Sequence, residues 1–266
     1  MKKTNLLFAV IAFFIALSCS KSSTSSSSSS GQKKVKTVEF YNYSIGNQMV
    51  QEYKFIYQND KIVNIIQKGT SYNSFSEISY IDSYNTKIKV YTDTIKNDSF
   101  LSNDVFIKYN SNKEVIYDST LVYDWQHNIV SRIVRKYQYN GNILEVNTTN
   151  NGINIITQKY TIQNENIILD DRLIEKKYDN YINPLYRLKF IFGYLHYLTA
   201  GYLGDKTFTK NNLVLEKYPN LPPNHPNYEP DPAKDNILTC QYDNQGDLIS
   251  TTSNIPFTLS LKFTYY

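Results

Sequence analysis

From Val35 to the C-terminus, hydrophobic and polar residues alternate with a period of two, the spacing at which neighbours on a strand face opposite sides. Tyr53, Phe55 and Tyr57 fall on one face of a first segment, with Glu52 and Lys54 on the other. In Val115–Tyr123 the apolar set is Val115, Tyr117, Leu121 and Tyr123, opposite Asp118 and Thr120. Leu238, Cys240 and Tyr242 share a face further on, and Leu259, Leu261, Phe263 and Tyr265 close the chain opposite Ser260, Lys262 and Thr264. Strands with one wet face predict an antiparallel sheet. No strand–helix–strand alternation is visible, so a parallel sheet is excluded. The predicted fold class is all-β, a meander of hairpins over 35–266 forming one curved sheet or barrel-like body.

Short polar turns separate these strands. Asn140-Gly141 is the strongest hairpin signal, and Asn59-Asp60, Asn110–Lys113, Asn150–Gly152, Gln163–Asn166 and Asn244–Asp247 are further turns. A loose repeat runs through them: a Tyr ends a strand, a polar turn follows, and an aliphatic residue opens the next. It occurs at Tyr57…Ile62, Tyr109…Val115, Tyr123…Ile129, Tyr139…Ile143 and Tyr242…Leu248. Each ring is expected to cap the edge of the core while its hydroxyl reaches the solvated turn.

Two stretches break the alternation. Asn183-Pro184 places a capping side chain before a proline suited to a first helical turn, and Leu185, Leu188, Phe192 and Leu195 recur at three- and four-residue steps. A helix, or a short helix and an irregular loop, is expected within 184–203, where two more aromatic strands are the alternative. Six prolines between Pro219 and Pro232 exclude a central strand and predict a long surface loop.

The N-terminus has a different character. Lys2 and Lys3 precede an unbroken apolar run of twelve residues, Leu6–Leu17. That is too short to span a bilayer and suits the core of an export signal, 1–18. Cys19 follows Ala16-Leu17-Ser18, a layout that resembles the lipobox of bacterial lipoproteins, with lipidation of Cys19 as the expectation. The other reading is an ordinary secretory signal cut nearby. Residues 19–34 are almost wholly Ser, Thr, Gly, Gln and Lys, a flexible tether with about 20 Å of reach.

Composition agrees with a β domain: 25 Tyr and 13 Phe stand against a single Trp in 266 residues. Without the first eighteen residues the chain carries 26 basic and 24 acidic side chains, near neutrality, and nothing points to nucleic acid. With Cys19 acylated, Cys240 is the remaining thiol, so no internal disulfide forms.

The lipobox-like start, the serine-rich tether, the Tyr-Asp/Asn turns and the closing Tyr242-Asp-Asn-Gln-Gly…Phe263-Thr-Tyr-Tyr266 resemble a family of Bacteroidota lipoproteins. Tyr178-Asp-Asn-Tyr-Ile-Asn-Pro-Leu and the later Lys210-Asn-Asn212 are similar to that family's central motif. The resemblance implies a porin-like antiparallel sheet and an envelope address. It brings no known function and no catalytic residues.

Chemistry is sparse. His127, His196 and His225 fall at no metal-ligand spacing, and no metal or cofactor is expected. There is no G-x-S-x-G elbow and no phosphate-cradling glycine loop, so no nucleotide is expected either. Cys240 lies in an alternating apolar run that suggests burial. Asp170-Asp171 point to opposite faces if in a strand, and are ordinary solubilising charges if in a turn. The resulting expectation is a non-catalytic envelope lipoprotein, an interaction or structural module on the periplasmic side of the outer membrane. The alternatives are a carrier or receptor taking a glycan, lipid or peptide in the mouth of the sheet and, behind it, a hydrolase. Tyr194, Tyr197, Tyr228 and Glu229 are the candidate ligand contacts. A membrane-spanning barrel conflicts with Arg132 and Lys136 on one face of a strand whose other face carries Arg135.

Overall fold

The computed structural model describes residues 33–42, 48–70, 73–93, 96–191, 209–219, 235–255 and 259–266. The signal, Cys19 and the tether up to Gln32 lie outside them, as do Tyr194, Tyr197, Tyr228, Glu229, His196, His225 and nearly all of the proline-rich segment. Lys33–Tyr266 is a compact unit.

Its strands are β1 Val35–Asn42, β2 Gln48–Gln58, β3 Lys61–Gly69, β4 Ser74–Tyr80, β5 Asn85–Tyr91, β6 Leu101–Tyr109, β7 Val115–Tyr123 and β8 Ile129–Asn140. They continue as β9 Ile143–Asn150, β10 Ile153–Gln163, β11 Asn166–Leu169, β12 Glu175–Ile182, β13 Asn211–Lys217, β14 Asn236–Tyr242, β15 Leu248–Ser253 and β16 Leu259–Tyr265. Each pairs antiparallel with its chain neighbours, and β1 pairs with β16, which closes the sheet into a barrel.

Two kinds of turn drive the meander. Two-residue turns at Asn59-Asp60, Asn151-Gly152 and Asn164-Glu165 have positive φ at both residues, the geometry that matches strand twist. The Asn140-Gly141 hairpin forms with Gly141 as the first loop residue, at φ 61°. Five-residue turns begin at Asn110, Asp124, Asp170 and Asp243. In each, one side-chain oxygen accepts from the backbone N–H two and four residues on. The fourth residue (Lys113, His127, Leu173 or Gly246) has positive φ. The Asx side chain replaces missing ladder bonds, which is why Asn or Asp follows Tyr109, Tyr123 and Tyr242 in the repeat.

Just beyond these turns the ladder bulges. Tyr57 pairs with Ile62 while Ile56 pairs with Asn64. The same one-residue insertion follows Val115, Ile129, Ile167 and Leu248. Each bulge raises local twist, which helps curl the sheet shut, and it reverses the side-chain alternation. In β7 this overturns the face expected from sequence. Past the extra residue Ile116 it is Asp118 and Thr120 that point inward, fully buried, while Tyr117, Leu121 and Tyr123 turn outward.

Inside the barrel is one contiguous core. Val38, Phe40, Tyr53, Phe55, Ile65, Ile88, Val105, Ile107 and Leu144 are each at most 1% exposed. The segment at Pro184–Ile191 is a 3₁₀ helix, capped by the Asn183 carboxamide accepting from Leu185 N–H at 2.9 Å. Its Leu185 and Leu188 are 1% exposed and belong to the core. The rest of the expected helix lies outside the described residues.

Candidate functional site

In an up-and-down barrel, turns after even-numbered strands lie at one end and turns after odd-numbered strands at the other. The first end is sealed. Tyr80, Tyr139, Tyr178 and Tyr265 donate their hydroxyls to the carbonyls of Ile62, Val115, Ile167 and Leu248. Each acceptor is the aliphatic residue opening a strand after a turn, and each donor sits on the next strand. The caps therefore come from a neighbouring strand and not from the tyrosine that ends the preceding one, as the repeat alone implied. Lysines cover the rings: Lys61 stands over Tyr80 at 4.9 Å, Lys113 over Tyr84 at 4.9 Å and Lys33 over Tyr265 at 5.9 Å. Burial pushes the phenols of Tyr80, Tyr139 and Tyr265 above the ordinary tyrosine range, and that of Tyr109 up to about 12.

The two segments of the central motif meet at this end. The Asp179 carboxylate accepts from the Asn212 backbone and side chain and from the Tyr242 hydroxyl. Tyr181 stacks on Tyr242 at 4.2 Å between centroids. Asn183 donates to the Thr209 carbonyl and Asn211 to the Tyr181 carbonyl. Burial raises the Asp179 carboxyl above its ordinary range. The motif fastens the base of the β12–β13 connection, and the void beside it, lined by Asn183, Asn212, Leu213 and Phe263, measures about 30 Å³. That holds a water or two and no larger ligand.

Charge inside the barrel is paired. Asp118 accepts from Arg135 Nη1 at 2.8 Å and from the Tyr137 hydroxyl at 2.5 Å, all three within the wall formed by β7 and β8. Near the opposite end, Lys176 lies 3.6 Å from Asp170 and 3.9 Å from Glu216, and Asn236 donates to Glu216. Asp170 is only 4% exposed, so it is not the solubilising charge expected of a turn residue. It holds its turn and neutralises a buried ammonium. Asp171 is exposed and does not share that site. Cys240 is half-buried against the core, with its thiol 3.8 Å from the Leu213 carbonyl. Among the described residues no group of His, Cys, Asp and Glu is placed to hold a metal ion.

The second end is uneven. β10 runs for eleven residues, whereas its neighbour β11 has four, and they pair only from Thr161 to Gln163. From Ile153 to Lys159, β10 is therefore laddered to β9 alone among the described residues. Strands β8, β9 and β10 form a blade there, exposed on both faces over much of β10. Ile153 is 73%, Ile155 60% and Ile156 44% exposed, with Ile129 and Val130 at 58% and 53% on β8 and Trp125 at 85% in the adjoining turn. Sequence reasoning missed this edge. The signal available was Ile153-Asn-Ile-Ile156, an uncharged apolar run without alternation.

The outward face of the barrel wall is charged. Glu39, Lys54, Lys68, Glu77, Lys87, Lys89, Asp104, Lys108 and Lys262 alternate with buried residues along six strands and more. Arg132 and Lys136 point outward and Arg135 inward, the division expected from sequence.

No protein-family model and no curated protein matches the sequence. Among solved structures, a porin-like protein from Bacteroides vulgatus aligns with 88% of this chain and 99% of its own, at TM-score 0.51 and 12% identity. The barrel has that protein's fold. A porin-like protein from Bacteroides uniformis aligns over the same shares at TM-score 0.40 and 10% identity. The porin-like likeness extends to architecture alone. A bilayer-spanning barrel turns an apolar band outward around a polar lumen, and here the wall is charged outside and a hydrophobic core is packed inside.

Proposed function

We propose that the chain is a non-catalytic envelope lipoprotein, a docking module that offers the free edge of β10 to an extended segment of a protein partner. The edge from Ile153 to Lys159, without a second strand partner among the described residues, carries the reading. An exposed edge presents a row of backbone donors and acceptors that an incoming strand completes. Apolar Ile153, Ile155 and Ile156 supply side-chain contacts. Cys19 acylation holds the module at the outer membrane, facing the periplasm, since no acidic residue follows the cysteine before Glu39.

Photo-crosslinking in cells tests the docking. A crosslinker at position 155 is expected to give a discrete adduct, and one at position 54, on the charged wall, none. Adducts at neither position, or at both alike, contradict the reading. Labelled fatty acid is expected to enter the native chain and not Cys19→Ser. Protease applied to intact cells is expected to leave the domain uncut, and its removal contradicts the periplasmic orientation.

A further inference from the structure

The outer face of the blade is concave. Arg132, Val134 and Lys136 of β8, Asn147 and Thr149 of β9, the Asn151-Gly152 turn and Asn154 of β10 enclose about 670 Å³, a size typical of ligand sites. Val134 is the one aliphatic residue in its lining, while the carbon stems of the longer polar side chains make much of the remaining surface. The Arg132 guanidinium, the Lys136 ammonium, the Thr149 hydroxyl and the Asn154 carboxamide have no bonding partner among the described residues. Nearby acids are engaged: Glu145 with Lys159 at 3.3 Å and with Asn147 at 3.0 Å, and Asp104 with Lys87 at 3.0 Å. The groove therefore carries uncompensated positive charge beside amide and hydroxyl groups.

We infer that this groove binds an acidic polysaccharide. Arg132 and Lys136 lie four residues apart on one strand face, about 13 Å between their Cα atoms. An extended chain with repeated carboxylates or sulfates meets both cations without the two side chains having to converge. The amides and Thr149 suit a hydroxyl-rich backbone, and Tyr117, which pairs with Lys136 across β7 and β8 and faces outward, offers a ring beside the groove.

The test uses the Lys33–Tyr266 unit, which contains the whole closed sheet and its core, and measures binding of an oligogalacturonate and a neutral oligosaccharide of equal length by calorimetry. The oligogalacturonate is expected to bind, more weakly at higher salt, and the neutral chain to bind at least tenfold more weakly. R132Q/K136Q is expected to weaken binding about tenfold. K54Q/K68Q, with the same charge change on the distant wall, is expected to leave it unaltered. Both pairs are exposed, and unchanged melting checks that the variants fold. The inference is overturned if the oligogalacturonate does not bind, if the neutral chain binds equally, or if R132Q/K136Q binds like the native unit. It is also overturned if K54Q/K68Q weakens binding as much, or if single-stranded DNA or phosphatidylglycerol vesicles bind as tightly. Position 155 is not part of the groove, so this result and the crosslinking result are independent.

Discussion

The two ends of the barrel solve the same problem in opposite ways. At the tyrosine end, strand openings are covered by phenols whose hydroxyls satisfy backbone carbonyls, with lysines over the rings. At the blade end, β10 outruns β11 and leaves main chain and isoleucines uncovered among the described residues. The difference separates an end held shut by side-chain hydrogen bonds from one whose backbone is left open among the described residues. Sealed edges resist new partners, and open ones invite them.

The largest expected effect breaks the sealed end with base. Burial holds the Tyr109 phenol at about 12, against an ordinary value of 10.0. The unfolded chain therefore loses this proton first, and stability falls as pH rises from 10 towards 12. That amounts to about 3 kcal/mol from Tyr109 alone, with Tyr80, Tyr139 and Tyr265 adding to it in the same direction. Chemical denaturation at pH 9 and pH 11.5, followed at the tyrosine end and in the blade, checks it. Stability that holds flat across this range contradicts the account.

Next is the buried pair between the two ends. Arg135→Met strips the Asp118 carboxylate of its guanidinium at zero exposure, with a loss of about 3–5 kcal/mol. Adding Asp118→Leu is expected to recover most of it, since no charge is then left unpaired. Equal stability of the single and double variants contradicts this. A smaller effect sharpens the comparison: Tyr139→Phe and Tyr265→Phe each remove one hydroxyl-to-carbonyl bond, about 1 kcal/mol apiece. These sites are far apart in the sheet order, so their losses are expected to add. Smallest of all, Ile155→Lys at 60% exposure is expected to shift stability by less than about 0.5 kcal/mol. A larger loss means that the edge is packed and not open.

Much of this was legible in sequence because its causes are local. β7 begins and ends where the alternation predicts, the Asn-Gly hairpin forms, and Asn183-Pro184 caps a helical turn carrying Leu185 and Leu188. What misled was also local but one residue wide. The bulge at Ile116 turns Asp118 inward, and an aspartate in a core is credible only once Arg135 and Tyr137 are seen beside it. The free edge was illegible because it depends on a length mismatch between β10 and β11, a property of neither strand alone. The candidate contacts Tyr194, Tyr197, Tyr228 and Glu229 lie outside the described residues, so neither the edge nor the groove draws on them.

Hydrogen exchange on the Lys33–Tyr266 unit compares the two ends most directly. Amides in β3, β7 and β15, under the tyrosine caps, are expected to exchange only on global unfolding. Those of β10 between Ile153 and Lys159 that face away from β9 are expected to exchange orders of magnitude faster. Equal protection along β10 and the capped strands would contradict an open edge.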